Sequence, residues 1–152
     1  MRHFIRALGA ALALALAVDV AYGATITIIN VDGVGEGFND ATPAAPVGGN
    51  PGVTVGQQRL NVFNRAGQIW GAILPSAVTI RVEASFDPLT CTMTSAVLVS
   101  AGAISGAAAF PNAPIAGTVY PIALANKLAG FDLIPASNDI DAAFNSSLNG
   151  NP

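Results

Sequence analysis

Residues able to carry acid–base, nucleophilic or metal chemistry are few in this chain of 152 residues. Its single histidine is His3 and its single cysteine is Cys91. A catalytic triad and a histidine zinc site both need imidazole nitrogens, and a papain-type thiol needs a histidine partner. An odd cysteine in an exported chain indicates a partner outside the chain or a free thiol.

Carboxylates are the remaining candidates for catalysis. Asp139 and Asp141 lie two apart on one predicted strand, and Glu83 lies on the polar face of another. A glycosidase needs two carboxylates facing each other across a cleft. The sequence marks no cleft, so we interpret these residues as solvated charges on strand faces.

A glycine-rich run, DGVGEGFND, follows the first predicted strand. A dinucleotide-binding loop needs glycine at its first, third and sixth positions and then a helix. Gly33 and Gly35 fit, but the sixth position is Phe38, and a stretch rich in proline and glycine follows. A calcium loop is an alternative, although the oxygen spacing matches no EF-hand. An ordinary exposed loop is favoured over a calcium site at Asp32, Glu36, Asn39 and Asp40.

The first 23 residues have the pattern of a secretory signal peptide. A basic start, MRHFIR, precedes an apolar run over 7–20, and Ala21 and Gly23 are the small residues expected before a cleavage site. Cleavage is predicted between Gly23 and Ala24, which places the product in the periplasm or outside the cell and removes His3. The apolar run is too short for a membrane anchor, so no membrane association is expected after cleavage.

The predicted mature part, residues 24–152, is mildly acidic and sparsely charged. It has no basic stripe, so nucleic-acid binding has no electrostatic support. Its basic residues are Arg59, Arg65, Arg81 and Lys127, and its acidic residues are Asp32, Glu36, Asp40, Glu83, Asp87, Asp132, Asp139 and Asp141.

Hydrophobic periodicity predicts a strand, a long helix and a second strand in that order. Residues 24–31 and 78–86 alternate apolar and polar side chains, as a half-buried strand does. Between them, Thr54 and Gln57 can form a capping box at the start of a helix over 55–74, which Pro75 ends. Gly67 and Gly71 lower helix propensity, which indicates close packing on a sheet. The predicted buried face consists of Leu60, Phe63, Gly67, Trp70 and Leu74.

Trp70 has two interpretations. Tryptophan rings stack on sugars, but this one lies on the apolar stripe of the helix, so we predict a core residue. Beyond the second strand, the sequence predicts a short strand over 96–100, a short helix over 121–130 with Gly130 at its end, and a strand over 139–145. The fold class is α/β (α+β): a twisted, mostly parallel sheet with one long helix packed across it.

Several segments resemble the N-terminal part of secreted bacterial zinc metallopeptidases of the metzincin type, a group often associated with a protease-associated domain further along. The longest is GNPGVTVGQQRLNVF; the others are ATITIINVDGVGEGFND, SAVTIRVEASFDPLTC, FPNAPIAGTVYPIALANKLAG and DIDAAFNSSL. The resemblance implies a mostly parallel sheet crossed by a long helix, followed by a second helix carrying H-E-x-x-H, whose histidines bind zinc and whose glutamate activates water.

No zinc ligand or general base carries over onto this chain, because the H-E-x-x-H segment is absent. For residues 24–152 the resemblance implies a scaffold that is truncated before the zinc helix. Its parts are the Trp70 helix and the two strands over 78–86 and 139–144. Cys91 corresponds to a structural cysteine whose disulfide partner lies in the missing region. Zinc and a protein or peptide substrate are expected only in the full-length form, and this chain holds no cofactor.

Two functions follow as expectations. The first is a scaffold portion of a secreted zinc-dependent endopeptidase-like protein, inactive by itself. The second is a free-standing secreted binding or structural module without enzymatic activity. An enzyme complete in residues 24–152 is disfavoured because the histidines are missing.

Overall fold

A computed structural model describes residues 23–148. It contains two helices, a single 3-10 turn over Gly37–Asn39 and six strands. In chain order these are β1 (Ile26–Asn30), α1 (Val55–Ile73), β2 (Ile80–Asp87), β3 (Val99–Ala103), β4 (Gly106–Ala107), β5 (Tyr120–Pro121), α2 (Ile122–Ala129) and β6 (Ile140–Asn145). The predicted signal peptide lies outside the described residues, apart from Gly23.

Four strands form one sheet in the order β1-β2-β6-β3. β2 pairs in parallel with β1 and β6, whereas β3 runs antiparallel along β6 at the edge. The register aligns Phe86 with Phe144, and Phe144 with Val99, so these three residues share one face. The α/β fold, with a mostly parallel sheet and a long helix packed on it, is confirmed.

α1 begins and ends where the sequence predicts. The Thr54 hydroxyl accepts a hydrogen bond from the Gln57 backbone N–H at 3.2 Å, which caps the helix. The predicted capping box differs in one partner, because the Gln57 side chain accepts from the Val53 N–H at 2.9 Å instead of the Thr54 N–H. The helix ends at Ile73, and Leu74 is its C-cap.

Glycines bring α1 close to the backbone of neighbouring segments. The buried residues of α1 are Gly56, Gly67 and Gly71. A Cβ at Gly56 would lie 2.7 Å from the Phe38 carbonyl carbon and 2.8 Å from the Asp40 nitrogen, closer than real Cβ atoms approach. The loop after β1 therefore fits against the first turn of α1 only because residue 56 has no side chain.

Four phenylalanines link α1 to the sheet. Phe63 of α1 lies 4.8 Å from Phe38 and 4.6 Å from Phe144 between ring centroids, both with edge-on geometry. Phe38 lies 5.4 Å from Phe86, also edge-on. We call Phe38, Phe63, Phe86 and Phe144 the aromatic cluster; through Phe63 it links α1 to β2 and β6.

The prediction that Trp70 belongs to the core is wrong, because its side chain is 58% exposed. Trp70 follows Phe63 by seven residues, which turns it about 20° further from the glycine stripe and moves it about 10 Å along the helix axis. The buried face of α1 is narrower than the apolar stripe in the sequence. Trp70 therefore lies on the flank of the helix, where none of the described elements covers it.

The last part of the chain differs from the predictions in detail. The edge strand spans Val99–Ala103, three residues later than predicted at its start. The segment after it contains β4, which the sequence does not predict, and β4 pairs with β5 to form a separate two-stranded sheet. α2 ends at Gly130, whose φ of 82° is the left-handed conformation that favours glycine at a C-cap. Within residues 23–148, neither helix has the length and apolar character needed to cross a bilayer.

Candidate functional site

Carboxylates of the loop after β1 are occupied by backbone groups of the protein itself. The two oxygens of Asp32 accept hydrogen bonds from the N–H groups of Phe38 at 2.6 Å and Phe86 at 2.7 Å. Glu36 accepts from the Gly33 N–H at 2.8 Å. The carboxylates thus close the loop and tie it to β2. The prediction of an ordinary exposed loop is wrong for Gly37 and Phe38, which are buried. Within residues 23–148, no three His, Cys, Asp or Glu side chains form a group suited to a metal ion.

Asp40, at the end of this loop, lies beside α1. Its carboxylate accepts a hydrogen bond from the Thr42 N–H at 2.9 Å and lies 3.6 Å from the Arg59 guanidinium. Hydrogen bonds from the Thr42 side chain and backbone, helped by the positive charge of Arg59, hold the pKa of Asp40 below its ordinary value. Arg59 also lies over the Phe86 ring, with its Cζ atom 4.5 Å from the ring centroid. This ion pair covers the rim of the aromatic cluster.

Asp139 is buried rather than solvated, which corrects the sequence-based interpretation. Only 4% of the residue is exposed. One oxygen accepts from the Arg81 backbone N–H at 2.8 Å, and the other accepts from the Asn126 amide at 2.9 Å. Asn126 is itself buried, and its carbonyl oxygen accepts from the Leu133 N–H at 2.9 Å. The carboxylate therefore joins α2 to the start of β6. These hydrogen bonds replace the water that burial removes from the carboxylate.

Glu83 and Asp141 are register partners on neighbouring parallel strands. Asp141 is exposed, as expected for a charge on a strand face, whereas Glu83 is half-buried and accepts a hydrogen bond from the Asn138 amide at 2.6 Å. The two carboxylates lie side by side on one face of the sheet. That arrangement does not supply the opposed pair that glycoside hydrolysis needs.

Cys91 lies in the turn between β2 and β3. It is half-buried and its thiol is free. Its backbone forms an isolated bridge with Ala96, inside a turn in which the Thr92 hydroxyl accepts from the Ser95 N–H at 3.0 Å. The sequence contains no second cysteine with which it could form an intramolecular disulfide.

A shallow groove of about 540 Å³ lies where the loop before α1 meets the outer side of the helix. Asn50 holds the loop in place: its amide donates to the Gln58 carbonyl, and its side-chain oxygen accepts from Asn61, both at 2.8 Å. The groove is lined mainly by Gly48, Gly49, Val62, Arg65 and Ile69. The sequence did not predict this groove, because the glycines and prolines before α1 indicate only a loop.

Part of the sheet face lies uncovered at β3 and the start of β6, and we call it the open half, defined as Val99, Ala101, Ala103 and Ile140. These residues lie on the face that carries the aromatic cluster, by the register of β6 and β3. α1 packs mainly on β1. Every residue of β3 is exposed, on both faces of the sheet, whereas Ala84 of β2 is fully buried.

Trp70 lies about two turns after Phe63 on the same flank of α1, and most of its side chain is exposed. Phe63 contacts Phe144 of β6. Other apolar side chains of α1 are also exposed, namely Val62, Ile69 and Ile73, as is Leu74 at its C-cap. Val62 and Ile69 belong to the groove described above.

Comparison with protein-family models, with curated proteins and with solved structures finds no match to this chain.

Proposed function

We propose that this chain is the N-terminal, non-catalytic scaffold of a secreted zinc-dependent endopeptidase-like protein. The half-covered sheet is the observation that supports it best. A sheet face that carries apolar residues is normally buried by a packed layer. In this fold α1 supplies that layer mainly over β1 and reaches β6 through the contact of Phe63 with Phe144, whereas every residue of β3 is exposed in residues 23–148.

The open half has dimensions that suit a second helix. Two adjacent strands are about 10 Å wide, which is close to the diameter of a helix with its side chains. A helix lying beside α1 on the open half would bury Ala101, Ala103 and the Trp70 ring together. In the resemblance described above, the element that follows the sheet is the helix carrying H-E-x-x-H.

The chemistry of the scaffold agrees with a non-catalytic role. Residues 24–152 contain no histidine and one cysteine, and carboxylates alone compete poorly for zinc. Zinc, a peptide substrate and a disulfide partner for Cys91 would all require a further segment of polypeptide. The proposed location is the periplasm or the exterior of the cell, following the signal-peptide pattern.

Reading the coding DNA beyond codon 152 in all three frames tests the proposal directly. We expect an H-E-x-x-H motif, together with a cysteine codon. The extended protein should then retain stoichiometric zinc and hydrolyse peptides in a chelator-sensitive way, and substitution of the first motif histidine by alanine should abolish both. Unrelated sequence after a stop codon would contradict the proposal and favour a free-standing secreted binding module.

Trp70 provides a second readout that does not depend on activity. In the 24–152 product, acrylamide should quench its fluorescence efficiently, because the ring is exposed. In the extended protein the emission should shift to shorter wavelengths and quenching should fall. Equal quenching in the two proteins would show that the added segment does not cover the open half.

The 24–152 product by itself should neither hydrolyse peptides nor bind zinc tightly. Dialysis against a zinc-free buffer followed by metal analysis measures this, with the extended protein as the positive control. Stoichiometric zinc retained by the short product, or proteolysis that a chelator inhibits, would overturn the assignment of its role as scaffold alone.

A further inference from the structure

β3 has a free edge with an ordered row of backbone donors and acceptors. Within residues 23–148 it is paired on one side only, with β6. The Asn145 N–H donates to the Leu98 carbonyl, and the Ile104 N–H donates to the Asp139 carbonyl, both at 3.0 Å. In an antiparallel ladder the residues that bond to the partner alternate. Backbone groups of Val99, Ala101 and Ala103 therefore point away from β6, at the free edge.

This row is self-complementary about a two-fold axis at Ala101. When two copies of β3 pair antiparallel, Ala101 lies opposite Ala101 of the other copy, Val99 lies opposite Ala103, and Ala103 lies opposite Val99. These three residue pairs are hydrogen-bonded pairs with two bonds each, which gives six backbone hydrogen bonds between the copies. Shifting the register by one residue would place inward-pointing groups at the interface. Moving the axis to Ser100 or Gly102 would keep only four bonds within β3, so the axis at Ala101 gives the most hydrogen bonds.

The side chains of β3 favour contact between identical copies. Its sequence, VSAGA, contains no charge, no proline and no large residue. A Cβ added at Gly102 would meet nothing within 4 Å, so the second face of the strand is unobstructed. Soluble proteins normally protect a free edge with lysine, proline, a bulge or a covering loop. β3 has no lysine and no proline, so none of these residues protects its edge.

We propose that β3 is a homodimer interface, in which two copies pair edge to edge and form a continuous eight-stranded sheet. The interface is isologous, as two-fold dimers require. It lies at the edge of the sheet and does not depend on what covers the open half. The proposal is therefore independent of the peptidase-scaffold proposal, and either can fail without the other.

Ala101→Pro is the decisive variant. Proline lacks the N–H, and at position 101 this N–H points away from β6, so the fold keeps its own hydrogen bonds. The dimer loses two of its six bonds, at about fivefold each, so its dissociation constant should rise about twenty-five-fold. Ala101→Val is the matched control, because it keeps the N–H and is a better strand former; its dissociation constant should rise less than about threefold.

The measurement is sedimentation equilibrium of the exported, processed protein in the presence of a reductant, which removes dimers linked through Cys91. Circular dichroism verifies the fold of each variant. If Ala101→Pro fails to fold, Ala101→Lys replaces it, since two lysines would face each other at the two-fold axis and dissociate the dimer, most strongly at low salt. A wild-type monomer at every concentration overturns the proposal. So does a dimer that the substitution of Ala101 by proline or lysine does not weaken.

Discussion

The two halves of the main sheet carry similar apolar residues but differ in what lies above them. Under α1, Ala84 is fully buried and Phe86 joins the aromatic cluster. On the other half, Val99 is 45% exposed although it aligns in register with the Phe144 of that cluster. Position in the fold decides burial here, and hydrophobicity alone does not. An apolar residue such as Trp70 can follow the periodicity of a buried helix face and still be exposed, because no described element packs over it.

The largest expected difference in stability is between substitutions of Phe63 and Trp70, two aromatic residues on the same flank of α1. Phe63→Ala removes the ring that contacts Phe38 and Phe144, and should lower the free energy of unfolding by about 3 kcal/mol. Urea unfolding followed by circular dichroism measures it. A loss below about 1 kcal/mol would mean that the aromatic cluster does not hold the covered half together.

Glycine substitutions test how closely α1 lies on its neighbours. Gly56→Ala places a Cβ against the backbone of Phe38 and Asp40, and should destabilise by about 2 kcal/mol. Gly67→Ala is the matched control, because its Cβ would lie 3.6 Å from Ile26, an ordinary contact. Gly67→Ala should therefore stabilise by about 0.5–1 kcal/mol through helix propensity. Equal effects of the two substitutions on the melting temperature would contradict the close approach at Gly56.

Trp70→Ala should have a smaller effect, below about 1 kcal/mol, because most of the ring is already exposed in residues 23–148. The same substitution in the extended protein should cost about 3 kcal/mol or more if a second layer covers the ring. Thermal unfolding of both proteins, with and without the substitution, gives the comparison. A large loss in the short product would mean that the ring is buried there.

The smallest expected effect is the pH dependence contributed by Asp40. Its pKa in the folded protein is lowered, so its ionised form stabilises the fold fully above the ordinary carboxyl pKa of about 4. That contribution should disappear as the pH falls through the lower, folded value. NMR titration of the Asp40 carboxyl carbon measures the shift directly. Denaturant midpoints should vary less with pH in Asp40→Asn; an unchanged profile would assign the dependence to other carboxylates.

Local signals explain which parts of the fold were predictable. Thr54, Pro75 and the alternation over 78–86 each act within a few residues, so the boundaries of α1 and the presence of β2 could be read from them. The parallel order followed from a strand, a long helix and a second strand. The predicted strand over 96–100 began three residues too early compared with β3. The sequence VLVSAGA shows little difference in hydrophobicity between the two faces of the strand, and such strands specify their register and ends weakly.

Features that depend on distant residues could not be predicted in the same way. The interpretation of Asp139 as a surface charge failed because its partners are the Arg81 N–H and Asn126, which the fold brings from separate elements. The prediction for Trp70 was wrong for a different reason. Its position matches the apolar periodicity of α1, but no element within residues 23–148 packs over the ring. The open half could not be predicted either, because it depends on how much of the sheet α1 covers in the folded protein.

Asp32 has a consequence for the order in which the protein folds. Its carboxylate joins Phe38 to Phe86, and the donor on β2 is 54 residues away in the chain. That bond can form only after β1 and β2 have paired, so it records the completion of the covered half. The bond from Phe38 to the same carboxylate spans only six residues. In a hydrogen-exchange experiment during refolding, the Phe86 amide should therefore become protected together with β2 pairing, and the Phe38 amide in the same phase or earlier. Two amides that a single side chain connects would thus distinguish local loop closure from pairing of the sheet.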